Sequence, residues 1–176
     1  EKYYRYYKRF EVHNLCAIVV DIQRQEVLAY VGNSPTDSEH QKDVNIIHRP
    51  RSTGSVLKPF LYAAMLDSGE LLPEEFVADV PTHIAGYAPQ NFENTYEGVV
   101  PAHEALYRSL NIPFVLLLRQ YGISRFYQQL RKHRLYSINR HPDHYGLSLI
   151  LGGAESSLWE LSQAYAHMGF ELNHYN

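Results

Sequence analysis

The sequence predicts a mixed α/β (α+β) chain that opens with an antiparallel strand pair and continues as helices. Three observations carry this expectation. Leu15 to Asp21 is an almost wholly apolar, β-branched run, and Val27 to Val31 repeats it after a polar stretch, Ile22 to Glu26. From Ser55 onward the apolar spacing changes to a helical period. The 176 residues, 45% hydrophobic and 20% charged, suffice for one domain with a sizeable core.

The elements follow in order. The first ten residues hold four tyrosines and four basic residues against one acid, a net +3 within a chain whose total is −3. Residues 1–12 read as a linker or the end of a preceding helix. The two apolar runs predict a hairpin of buried central strands, with Cys16 inside the first as a small core residue. Residues 33–54 are polar and predict an ordered loop. Leu57, Phe60, Leu61, Ala64 and Met65 then place a helix from Ser55 to a stop at Gly69. Residues 73–101 contain four prolines and no long period, so they read as a long loop region, which in a compact domain is usually functional. Helices are expected over 102–109, over 113–121 with Pro113 in the first turn, and over 124–134. Gly146 to Gly153 is an apolar segment closed by a glycine pair. Ser157-Leu-Trp-Glu160 has capping-box spacing and opens a final helix ending near Gly169.

Composition excludes several classes. One cysteine rules out an internal disulfide framework and a cysteine zinc site. The only tight histidine grouping is His141-Pro-Asp-His144, where proline breaks the helical spacing a shared metal needs. Neither a cofactor nor a metal is therefore expected. A net charge of −3 gives no reason to expect nucleic acid. No apolar run approaches the roughly 20 residues that span a bilayer, and the start lacks a signal-peptide pattern.

Chemistry concentrates at two places. In Gly54-Ser55-Val-Leu-Lys58-Pro59-Phe60, a helical turn puts Ser55 and Lys58 on one face. A serine hydroxyl needs an adjacent base to become a nucleophile. Lysine serves as that base only where burial or a positive neighbour lowers its pKa. Ser55 also stands at a helix start, where backbone N–H groups favour a developing oxyanion. Alone, Ser-x-x-Lys reads more readily as a capping serine and a surface lysine, since the spacing occurs by chance in many helices. The second place is Ser109-Leu-Asn111 before Ile112-Pro113, a helix junction whose hydroxyl could relay protons and whose amide could hold a carbonyl. Alone, it is an ordinary helix end.

Together the segments resemble a known family. Arg51-Ser-Thr-Gly-Ser55-Val-Leu-Lys58-Pro-Phe60 resembles the active-serine segment of class A penicillin-binding proteins. Tyr87-Ala-Pro89-Gln-Asn91-Phe92, Tyr96-Glu-Gly98, Glu104-Ala-Leu106 and Ser109-Leu-Asn111-Ile-Pro113 resemble the run into its second motif. Gly146-Leu-Ser-Leu-Ile-Leu-Gly-Gly153 and Glu160-Leu-Ser-Gln-Ala-Tyr165 resemble the segment after it. Asp79-Val-Pro81-Thr and the Ser-Thr-Gly-Ser-x-Leu-Lys wording are most similar to the 1C branch. The resemblance runs in order from about His13 to Gly169.

What the resemblance implies is specific. The fold would be that of penicillin-binding proteins and serine β-lactamases, an antiparallel sheet flanked by helices plus an all-helical part, incomplete at the C-terminus. Residues 13–176 would be the N-terminal and central portion of a transpeptidase domain. Ser55 would be the acyl-accepting nucleophile, Lys58 its general base, Ser109 the proton shuttle, and Asn111 the binder of the donor peptide's amide. The partners would be peptidoglycan stem peptides ending in D-Ala-D-Ala, and β-lactams. The parent protein would sit on the periplasmic face of the inner membrane through an N-terminal anchor not in this sequence. The family's third motif, Lys-Thr-Gly or Lys-Ser-Gly, does not occur in the 176 residues. The chain is therefore expected to be cut before that motif and to be a poor catalyst alone. Two alternatives share the motifs: a serine β-lactamase or D,D-carboxypeptidase, and a non-catalytic β-lactam-binding or scaffold module.

Overall fold

The computed structural model describes residues 10–34, 38–84 and 86–174. The tyrosine-rich residues 1–9, for which a linker or helix end is expected, lie outside them. The element order is β1 (Ala17–Asp21), β2 (Glu26–Val31), β3 (Arg51–Ser52), α1 (Lys58–Asp67), β4 (Phe76–Asp79), β5 (Gly98–Pro101), α2 (Ala102–Tyr107), α3 (Asn111–Tyr121), α4 (Ile123–Lys132), α5 (Pro142–Tyr145), β6 (Glu155–Ser156) and α6 (Leu158–His174). Short 3-10 turns occupy Ser38–His40 and Gly146–Leu151. The chain divides into two compact units, one of Glu1–Arg51, His133–Ser137 and Ser156–Asn176, the other of Ser52–Lys132 and Ile138–Glu155. No helix of the described residues is long and apolar enough to cross a membrane.

In the first unit β1 and β2 pair antiparallel from Ala17↔Val31 to Asp21↔Glu26, with a bulge between Val19 and Val20. The expected hairpin is there, but its strands are not buried. Val27, Leu28, Tyr30 and Val31 are 42% to 61% exposed. A two-stranded ribbon has no flanking strands, and the apolar run encodes a surface that wants covering rather than the cover itself. Cys16 lies one residue before β1 and is only half-buried, not a core residue of the strand. Helix α6 packs on β1, and the Trp159 indole meets the Tyr30 ring edge-on at 6.4 Å. Its start behaves as the capping spacing predicts, with Glu160 N donating to Ser157 Oγ at 3.2 Å. The Glu160 carboxylate turns elsewhere and accepts from Ser156 Oγ at 2.8 Å and Ser137 N at 3.0 Å. The expected stop at Gly169 is wrong, since α6 continues to His174. Gly169 is an approach point instead: a Cβ there would stand 3.3 Å from two carbons of Ile22.

The second unit contains most of the helices and a closed apolar core. Phe60, Leu61 and Met65 of α1, Ile112, Phe114 and Leu118 of α3, and Phe126 and Leu130 of α4 are essentially inaccessible. At roughly 1.5–3 kcal/mol per fully buried large side chain, these residues fix how the helices sit. Residues 73–101 are not loop throughout. Strands β4 and β5 pair antiparallel from Phe76↔Pro101 to Asp79↔Gly98 and fold residues 80–97 into one excursion between them. Four-residue strands are too short to show alternation, so the pattern does not reveal them.

The glycine pair after the Gly146–Leu151 turn has a structural purpose. Gly152 adopts φ +100°, and a Cβ there would fall 2.6 Å from Ser52 Oγ and 2.8 Å from Gly54 N. Ser52 Oγ donates to Gly152 O at 2.8 Å, and Thr53 N donates to Ala154 O at 3.0 Å. The segment thereby supports the turn that presents Ser55. Gly152→Ala combines a left-handed backbone with a backbone clash, so unfolding free energy is expected to fall by about 2–4 kcal/mol. A urea melt checks this; an unchanged midpoint would show that the contact gives way freely.

Candidate active site

Two consecutive turns build the first half of the site. Val56 N donates to Thr53 O at 3.2 Å, and Lys58 N donates to Ser55 O at 3.1 Å. Helix α1 therefore begins at Lys58, not at the expected Ser55. The reason is Pro59, which has no N–H to offer Ser55 O, so the first α-helical bond from Ser55 does not exist. Ser55 remains half-buried at the end of the turn. Its hydroxyl makes no hydrogen bond among the described residues.

Lys58 points inward and is 1% exposed. Its Nζ donates to Ser109 O at 2.7 Å, to Asn111 Oδ1 at 2.8 Å, and more weakly to Ser109 Oγ at 3.3 Å. No charged side chain is among these partners. Burial alone lowers its pKa from 10.5 to about 8.

The second half is the junction between α2 and α3. Ser109 N donates to Leu106 O at 2.9 Å and Leu110 N to Ala105 O at 3.0 Å. This is the paired closure of a Schellman motif, with Ser109 in its left-handed position at φ +55°. Glycine is the usual occupant of such a position. The motif turns the chain so that the Ser109 carbonyl and hydroxyl both face Lys58. Two residues on, α3 starts at Asn111, with Pro113 in its first turn.

Residues from the long excursion complete the arrangement. Asn91 Oδ1 accepts from Asn111 N at 2.9 Å and Ile112 N at 3.3 Å. Asn91 Nδ2 donates to Asp79 Oδ1 at 2.6 Å and Thr95 O at 2.9 Å. Asn111 Nδ2 donates to Gln90 O at 2.9 Å. Ser55, Asn91, Ser109 and Asn111 line one cleft of about 510 Å³, with Glu93 and Arg108 at its wall. Hydrogen bonds to Glu97 and Glu104 hold the Arg108 guanidinium and push its pKa up.

All four residues that the sequence singled out thus lie in one unit. Lys58 bonds to both Ser109 and Asn111, and Ser55 lines one cleft with those two. Asp79 and Asn91 have no role in the sequence reading, although both stand inside segments that carry the resemblance. Among the described residues no group of acids, histidines and cysteines could hold a metal ion. His141 instead caps α5, accepting from Asp143 N at 3.4 Å.

A buried Ser-x-x-Lys lysine closed by a Ser-x-Asn junction, on helices beside short antiparallel strands, defines the class: a transpeptidase fold built around a serine turn. The chain belongs to the penicillin-binding protein transpeptidase domain family, whose model matches residues 15–173. It is similar to penicillin-binding protein 1C of Escherichia coli (strain K12), 39% identical over 153 residues, 86% of this chain and 20% of that protein. Penicillin-binding protein 1A of Pseudomonas aeruginosa is 32% identical over 138 residues, 73% of this chain and 16% of that protein. The crystal structure of penicillin-binding protein 1A from Haemophilus influenzae superposes with a TM-score of 0.73 at 26% identity, covering 88% of this chain and 23% of that one. The chain spans about a fifth of the length of these relatives.

Proposed function

We propose that this chain carries the acyl-transfer site of a peptidoglycan D,D-transpeptidase, with residues 13–176 forming the N-terminal and central portion of that domain. One observation carries the reading: the buried Lys58 amine, its pKa lowered to about 8, is held at the Ser-x-Asn junction of the cleft that Ser55 lines. A neutral Lys58 has two N–H bonds, and Ser109 O and Asn111 Oδ1 are the two close acceptors. Ser109 Oγ, at 3.3 Å, is the third and weakest contact, the one through which the amine can pass a proton on.

In the proposed reaction Ser55 Oγ attacks the penultimate D-Ala carbonyl of a stem peptide, and Lys58 takes the hydroxyl proton. The Ser55 backbone N–H supplies one oxyanion donor. The C–N bond breaks, and Ser109 relays a proton from Lys58 to the leaving amine of the terminal D-Ala. Asn111 holds the donor peptide's amide. A neighbouring stem's amine then attacks the Ser55 ester, forms the cross-link and restores the serine. A β-lactam enters the same first step but stays bound, because its leaving nitrogen remains tethered to the acyl group. The reaction belongs to cell-wall synthesis on the periplasmic face of the bacterial inner membrane.

Incubating the full-length protein with a fluorescent penicillin tests this. A covalent adduct on Ser55, absent from Ser55→Ala, is the expected result. A folded protein that forms no adduct would sink the reading, and rapid release of hydrolysed drug would replace it with a β-lactamase.

A further inference from the structure

We infer that Asn91, oriented by Asp79, is a positioning residue of this site: its amide oxygen fixes the first turn of α3, and thereby the Asn111 oxygen against Lys58. The inference rests on the transpeptidase reading above and names two residues that reading does not use.

The first turn of any helix leaves N–H groups without partners. At α3 the N-cap residue is Leu110, which has no polar side chain to offer, and its side chain makes no capping bond. Asn91 supplies the missing acceptor from a distance of twenty residues, taking both Asn111 N and Ile112 N on one oxygen. Its amide could in principle face either way. The two groups on its other side, Asp79 Oδ1 and Thr95 O, are both acceptors. They demand the nitrogen and so turn the oxygen toward α3. Asp79 is itself held, since its second oxygen accepts from Glu97 N at 3.1 Å.

Both side chains are closed to solvent, Asp79 at 1% and Asn91 at 4% exposure. Water therefore does not substitute for a lost partner, and a buried polar group left alone is expensive. The consequence reaches Lys58 through Asn111. Asn91 holds the Asn111 backbone, and the carbonyl of the adjacent Gln90 holds the Asn111 side-chain nitrogen at 2.9 Å. With both ends fixed, the Asn111 oxygen is left facing the lysine at 2.8 Å. Residues 90–91 and Asp79 thus set one of the two close acceptors of the proposed base. Neither Asn91 nor Asp79 bonds to the amine, although Asn91 lines the cleft.

The experiment measures penicillin acylation of the full-length protein across pH, with folding monitored by circular dichroism. Asn91→Leu removes the cap with no change of charge. It is expected to acylate about tenfold more slowly, the equivalent of one lost buried hydrogen bond. The midpoint of its pH–rate curve should also fall, because an Asn111 oxygen that drifts away no longer stabilises the Lys58 ammonium. A merely structural residue would lower the melting temperature without moving that midpoint. A folded Asn91→Leu protein with the wild-type rate and midpoint would overturn the inference.

Should Asn91→Leu not fold, an exchange of the two side chains decides. Asp79→Asn alone turns an N–H toward Glu97 N or takes the acceptor from Asn91, and Asn91→Asp alone sets two carboxylates face to face. The double exchange keeps the net charge and restores an amide–carboxylate bond with its donor reversed, leaving Thr95 O as the one acceptor without its donor. Recovery of acylation well above both single variants supports the inference; a double variant no better than the worse single overturns it. Failure of the folded wild type to be acylated at all would overturn the transpeptidase reading, and this role with it.

Discussion

Lys58→Met is expected to give a folded protein whose acylation by penicillin is slower by about 10² to 10⁴, the range that a positioned general base contributes. The magnitude follows from how the fold treats this lysine. An ordinary lysine is neutral in only about one molecule in three thousand at pH 7, whereas one with a pKa of about 8 is neutral in roughly one in ten. Burial therefore multiplies the available free base by a few hundred at neutral pH. The acylation rate of the native protein should rise with pH and level off above about 8, and the variant should lose that dependence.

The stability of the same variant is set by two opposing effects. Lys58 has a folded pKa below its unfolded value of 10.5, so its protonated form is penalised in the native state. The penalty is fully present below about pH 8 and disappears as pH rises toward 10.5. A depression of this size corresponds to roughly 3 kcal/mol at neutral pH. Methionine removes that penalty but leaves Ser109 O and Asn111 Oδ1 without their donor, at about 1–3 kcal/mol for each buried orphan. The two effects offset, and the melting temperature at pH 7 should change little. Chemical denaturation at pH 7 and pH 10 separates them: native stability gains Lys58's contribution between those values, and the variant does not. A variant that keeps native acylation would remove Lys58 from the base's role.

Ser55, Lys58 and the Ser-x-Asn junction were legible because each belongs to a short local pattern in a helical context. Ser55 and Lys58 are one turn apart, and Ser109 and Asn111 share one helix junction. Their surroundings were less legible for two physical reasons. Asp79 and Asn91 meet only after β4 pairs with β5 and folds eighteen intervening residues back. Neither residue announces that encounter in its neighbours along the chain. The exposure of β1 and β2 departs from the expected burial because an apolar sequence records the need for a cover, while β1 has its pairing strand and α6 against it and β2 stays open. The overrun of Gly169 has a similar cause, since packing against Ile22 rather than local propensity decides what glycine does there. Even the late start of α1 was readable in retrospect from Pro59.

Ser109→Gly should raise stability by about 0.5–1 kcal/mol and at the same time lower acylation and transpeptidation by about 10². The opposition arises because Ser109 occupies the left-handed position of a Schellman motif at φ +55°, which a side chain disfavours and glycine adopts freely. The backbone bond from Lys58 Nζ to Ser109 O, at 2.7 Å, survives the change, so the lysine keeps its place. Only the hydroxyl at 3.3 Å is lost, and with it the proposed route for the proton to the leaving amine. Ser109→Ala makes the comparison sharp, because it removes the same hydroxyl but retains the unfavourable backbone. The two variants should be equally impaired in acylation yet differ in melting temperature, with glycine the higher. Equal melting temperatures would mean that the junction does not strain its side chain. Near-native acylation in both would mean that the proton reaches the leaving group by another path, leaving Ser109 with the carbonyl that holds Lys58 as its whole contribution.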